Sequence, residues 1–145
     1  MQLDINADSF WNASGLVLDK GASYKISVGS AEYWCDAGIK SSVMGWRTHD
    51  ETLESCEAGA ASAKLSKMQK WIFSKVEGSR RYPDANWFEL IGVNAKDGKF
   101  DEFRVALQHD FEANMSGEFC AYANDLKYFY WNNSRSLKIT IKRTD

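Results

Sequence analysis

Proline is almost missing from this 145-residue chain, with Pro83 as its single instance. That excludes a proline-rich linker and, with 44% apolar residues, a disordered tail. Cysteine is scarce and odd in number: Cys35, Cys56 and Cys120. No pair has the C-x-x-C spacing of a zinc or redox motif. The count allows one disulfide plus a free thiol. Three reduced, mostly buried thiols are the expectation for a chain that starts without a secretory signal. Met1-Gln2-Leu3-Asp4 lacks the charged-then-apolar pattern of such a signal. No apolar run approaches the ~20 residues that cross a membrane as a helix. The protein is therefore expected in the cytoplasm, or released without a classical signal peptide. The three Asn-x-Ser sequons, at Asn12, Asn114 and Asn132, then read as chance matches. A basic excess is also lacking. The net charge of −2 argues against a nucleic-acid binder.

What is abundant is aromatic: six Trp, six Tyr and eight Phe. Aromatics favour strands and also build sugar-binding and interface surfaces. The length suits a single domain, residues 1–145, that can bury roughly 68% of its unfolded surface. Tyr24, Ile26 and Val28 alternate with Lys25 and Ser27, and Leu137, Ile139 and Ile141 alternate with Lys138, Thr140 and Lys142. Both stretches have the period of a half-buried strand. Leu16–Leu18, Trp87–Ile91, Phe100–Leu107 and Phe119–Ala123 add further strands, and Asp97-Gly98 is a hairpin turn. Residues 41–59 read as a long irregular loop. Residues 60–76 differ. Leu65, Met68, Ile72 and Val76 recur at helical spacing, with Lys64, Lys67, Lys70 and Lys75 mostly on the other face. Many short strands with one helical stretch predict an all-β jelly-roll sandwich of two antiparallel sheets carrying one inserted amphipathic helix. The lysine face is either solvated or a docking surface for a protein partner. A homo-oligomer is compatible with the sequence.

The stretch Asn124-Asp125-Leu126-Lys127-Tyr128-Phe129-Tyr130-Trp131-Asn132-Asn133-Ser134 carries the clearest chemistry. One carboxylate and two adjacent carboxamides lie on what reads as a loop between strands. Calcium takes six to eight oxygens from such groups and from backbone carbonyls. Asn-Asp and Asn-Asn-Ser are also ordinary turn formers, so the residues alone leave both readings open. An enzyme is not indicated. His49-Asp50-Glu51, with Cys35 or Cys56 as nucleophile, has no recognised catalytic spacing, and His109-Asp110 reads as the end of a strand.

Ala123-Asn124-Asp125 together with Tyr130-Trp131-Asn132-Asn133-Ser134 resembles the C-terminal motif of the calcium-dependent galactose-binding soluble lectins of bacteria. Trp11-Asn12, Gly15, Leu18, Gly21, Tyr24, Ile26, Gly29 and Leu90-Ile91-Gly92 fit that family more loosely. The resemblance implies a small jelly-roll lectin that binds a galactoside-like glycan through calcium. It implies that Asp125, Asn132 and Asn133 bind calcium by side-chain oxygens, and Phe129 and Tyr33 by backbone carbonyls. It places Asp125 and Asn132 on two adjacent sugar hydroxyls, His49 near the exocyclic hydroxyl, and Leu126 and Trp131 beside the sugar. Lys127, Tyr128 and Trp131 stand where the family has small residues, and such bulk either stacks on a sugar or blocks it. The alternative is a protein-interaction domain that keeps the fold and has lost sugar binding.

Overall fold

The computed structural model describes residues 1–50, 52–57 and 64–145. Its strands are β1 (Gln2–Asn6), β2 (Asn12–Leu18), β3 (Ser23–Val28), β4 (Trp34–Asp36), β5 (Ile39–Ser41) and β6 (Glu54–Ser55). After the helix α1 (Lys67–Val76) come β7 (Leu90–Lys96), β8 (Lys99–Arg104), β9 (Gln108–Glu112), β10 (Gly117–Ala123) and β11 (Ser136–Arg143). Two four-stranded antiparallel sheets, β1-β11-β3-β9 and β2-β10-β7-β8, pack face to face as a jelly-roll sandwich. A small third sheet, β4-β5-β6, extends one end.

The alternating residues of β3 and β11 do what their period predicts. Ile26 pairs with Ile141 and Val28 with Ile139, and all four side chains point into the core. Ile5 joins them opposite Leu137. Leu18, Leu90, Phe119 and Ala121 close the core from the second sheet. Strands β7 and β10 do not alternate because both of their faces are covered. Their outward residues Ile91, Val93, Cys120 and Tyr122 form a second cluster under Trp11, Tyr82 and Ala85.

Several sequence expectations are corrected. The stretch 100–107 is not one strand. It breaks after Arg104, passes through Ala106 at φ 55°, and resumes as β9 in the other sheet. That change of sheet is why its period is imperfect, and it puts His109 in mid-strand. The 41–59 region is not wholly loop, since it contributes Ser41 and β6 to the small sheet. Trp87-Phe88 is not strand: Phe88 sits at φ 61° and its carbonyl accepts from the Trp34 indole at 3.1 Å. Cys35 and Cys56 form a disulfide, with Cα atoms 6.2 Å apart, and Cys120 alone is free and buried.

The helix is shorter than 60–76, and residues 60–63 of that range lie outside the described residues. Ser66 caps it: its hydroxyl accepts from the Gln69 amide while Gln69 returns a bond to the Ser66 amide. Only the ends of the expected apolar stripe, Leu65 and Val76, pack on the core. Between them Phe73 docks, edge-on to Trp46 and Trp87. Met68, Trp71 and Ile72 are left 72%, 61% and 47% exposed. Among the described residues no helix is long and apolar enough to cross a membrane.

Candidate functional site

The 124–134 loop leaves β10 at a rim of the sandwich, and two buried side chains hold it there. Asn124 is fully buried and satisfied. Its Nδ2 donates to the carbonyls of Tyr82, Asn86 and Ala85 at 2.8, 2.9 and 3.3 Å, and its Oδ1 accepts from the Tyr82 amide at 2.9 Å. Tyr130 donates its hydroxyl to the Ala123 carbonyl and accepts from Arg81 at 2.9 Å. The Arg81 guanidinium lies over the rings of Tyr122 and Phe10, 3.4 and 3.8 Å from their centroids. A short 3-10 turn, Tyr130–Asn132, then brings the chain back toward Asp125.

Asp125 and Asn133 meet inside this loop. Asn133 Nδ2 donates to Asp125 Oδ2 at 3.0 Å and to the Ala7 carbonyl at 3.4 Å, and the Leu126 amide donates to Asp125 Oδ1 at 2.7 Å. Both residues are buried, 4% and 6% exposed. With its amide nitrogen committed to two acceptors, Asn133 turns Oδ1 the other way, and that oxygen is buried without a donor. Asn132 Oδ1 is in the same condition. Unpaired buried oxygens of this kind cost about 1–3 kcal/mol each unless something satisfies them.

A third segment closes the site. Cys35 of β4 and Ser134 exchange both backbone bonds, at 2.9 and 3.0 Å. The neighbouring cross-strand pair is therefore Asp36 and Asn133, whose side chains share a face. Asp36 Oδ2 accepts from the Trp46 indole at 2.9 Å. Burial first, and the nearby Asp125 carboxylate second, hold the Asp36 carboxyl well above the usual carboxylate range. Burial raises Asp125 as well, against the lowering effect of the Asn133 and Leu126 bonds. Among the described residues no ion pair neutralises either acid.

The other expected site residues are distributed around this centre. Leu126 is half-buried and bridges to Arg80. Phe129, Trp131 and the neighbouring Tyr128 are 48%, 78% and 79% exposed, so the aromatics stand out from the rim rather than filling it. His49 is exposed and lines a cavity of about 440 Å³ with Thr48, Glu77 and Arg80. Tyr33 lines a different cavity, of about 510 Å³. Its ring receives Arg135 and Lys40, 4.0 and 4.6 Å from the centroid. The structure thus brings Asp125, Asn132 and Asn133 into one loop, with His49 and Tyr33 in separate depressions. Sequence reasoning missed Asp36. Its signal is weak, a lone acid in Tyr33-Trp34-Cys35-Asp36, and only the pairing with Ser134 brings it to the loop.

The donor set is chemically hard: two carboxylates and two amide oxygens, buried at Asp125 and Asn133, half-buried at Asp36 and Asn132, and short of positive charge. That composition fits a divalent cation such as calcium. The fold has a solved counterpart. The structure described as "EclA N-terminal domain; PllA-like lectin" aligns over 99% of this chain and 95% of its own, with TM-score 0.58 and 11% identity. The chain therefore has the all-β sandwich fold of a lectin domain. No family model and no curated protein matches it in sequence.

Proposed function

We propose that this chain is a non-enzymatic carbohydrate-binding module that recognises a galactoside-like glycan through calcium held in the 124–134 loop. The observation that carries this reading is that Asp125 and Asn133 meet in this loop, 3.0 Å apart, while the Oδ1 atoms of Asn132 and Asn133 are buried there without a donor. Asp125, Asn132 and Asn133 would hold the ion by side chains, and Phe129 and Tyr33 by carbonyls. A bound calcium supplies open coordination positions that two adjacent sugar hydroxyls can fill. Asp125 and Asn132 would accept hydrogen bonds from those hydroxyls and so select their relative orientation. Leu126 and Trp131 would offer apolar surface for a sugar face, while His49, in its own depression, would take no part. The lectin-like fold supports the reading at the level of architecture.

Calorimetric titration with calcium, with Asp125→Ala as control, tests it. A wild-type heat abolished by the substitution, and galactoside binding that disappears with chelator, is the expected result. At a hundredfold excess over Kd, calcium should add about 2.7 kcal/mol of stability, a Tm rise of roughly 5–11 °C for a chain of this size. No heat and no shift would end the ion-mediated reading.

The exposed apolar face Met68, Trp71 and Ile72 favours a second reading, a protein-interaction domain on the same fold. Silence on a glycan array despite calcium binding, with partner capture that depends on Lys64, Lys67 and Lys70, would select it.

A further inference from the structure

The calcium reading above, on which this inference rests, takes its fifth protein ligand from the Tyr33 carbonyl. The strand register points elsewhere. Cys35 pairs with Ser134, so Asp36 lies level with Asn133. Tyr33 is turned toward Arg135 and Lys40, which pack on its ring. Asp36, half-buried, instead stands beside the loop that carries the two unpaired amide oxygens. Its Oδ2 is used by Trp46, and no described residue donates to its Oδ1. Asn133, its cross-strand neighbour, is 6% exposed and carries an unpaired Oδ1, and the adjacent Asn132 carries another.

Two like charges sheltered side by side destabilise a fold unless they share a counterion or one of them keeps its proton. The buried acid Glu89 shows the contrast: it is 1% exposed and grips Arg104 through two bonds, at 2.6 and 3.0 Å. The Asp36–Asp125 pair has no such cation among the described residues. We propose that Asp36, through Oδ1, is a second carboxylate ligand to the cation held by Asp125, Asn132 and Asn133, in place of the Tyr33 carbonyl. The protein then presents two negative charges to the ion rather than one. Charge count sets affinity in oxygen-ligand sites, so the site is tighter and favours higher-charged ions more than a one-carboxylate site does.

Asp36→Asn tests this, because asparagine keeps the shape and can still accept the Trp46 bond. Calcium calorimetry should show Kd weakened roughly tenfold or more, and the preference for terbium(III) over calcium should fall as well. A merely structural role would leave that preference unchanged. In chelator the variant should melt higher than wild type, since the like-charge pair is gone. An unchanged Kd and ion preference in a wild type that does bind calcium would overturn the role of Asp36 alone. A wild type that binds no calcium would overturn the calcium reading with it.

Discussion

Asp36 and Asn133 stand opposite one another as neighbours of the Cys35–Ser134 bridge, joining the small sheet to the 124–134 loop. Each brings an oxygen to that junction, and the second partner of Asn133 is Asp125. The candidate site is therefore a seam between segments rather than a property of one loop.

The disulfide next to this seam should matter to both stability and binding. Cys35 immediately precedes Asp36, and its link to Cys56 closes a loop of 21 residues' separation. Chain entropy alone puts the cost of opening it at about 3 kcal/mol. Cys56→Ser should show that loss in urea unfolding, and calcium affinity should fall with it because Asp36 is freed. Full calcium affinity in the reduced protein would show that β4 is held without the bond.

Asn124 is the structural anchor of the loop, not a ligand. Its bonds fix residues 82–86 against β10. Asn124→Ala strands several buried carbonyls and one amide, so a loss of about 3 kcal/mol or more is expected from chemical denaturation. Hydrogen exchange should accelerate at the Tyr82 amide, which loses its acceptor.

Trp131 should separate binding from folding. At 78% exposure its removal leaves the core untouched. Trp131→Ala should change stability by less than about 0.5 kcal/mol. If it is the sugar platform, glycan affinity falls by about tenfold or more, the scale of an aromatic anchor. A rise in affinity would mean that the indole obstructs the pocket.

His109 sets a pH dependence. It packs in one cluster with Phe103 and Phe111, their centroids 4.8 and 5.5 Å away, and burial lowers its pKa below 6.5. Between that lowered value and 6.5 the unfolded chain binds the proton and the folded chain does not. Stability from this residue is thus complete above 6.5 and drains away as pH falls through the window. His109→Phe should flatten that part of the wild-type Tm–pH curve. Identical slopes would remove His109 as the cause.

Strands with one wet face were legible from the sequence, because burial of one side writes a period of two into β3 and β11. Strands β7 and β10 lost that signature to the Trp11 and Tyr82 cover, though β10 could still be placed by Phe119, Ala121 and Ala123. The β8–β9 boundary was not legible, since a change of sheet at Ala106 leaves only a blurred period. Helical spacing located α1 and the docking residues Leu65 and Val76 at its ends, but not the residue that docks between them. Phe73 wins over Met68 and Ile72 because Trp46 and Trp87 offer it a matching aromatic wall. Within the site, Asp125, Asn132 and Asn133 were legible as a group because they share one short loop. Asp36 was not, because its place depends on a pairing made across most of the chain.

That long-range pairing has a kinetic consequence. Asp36 and Asn133 are separated by about 100 residues of chain, and both sheets must close before they meet. A ligand captured between them finds its full set of donors only after the folding barrier has been crossed. It would act on the way out rather than on the way in, lengthening the life of the native state while leaving the speed of folding almost unaltered.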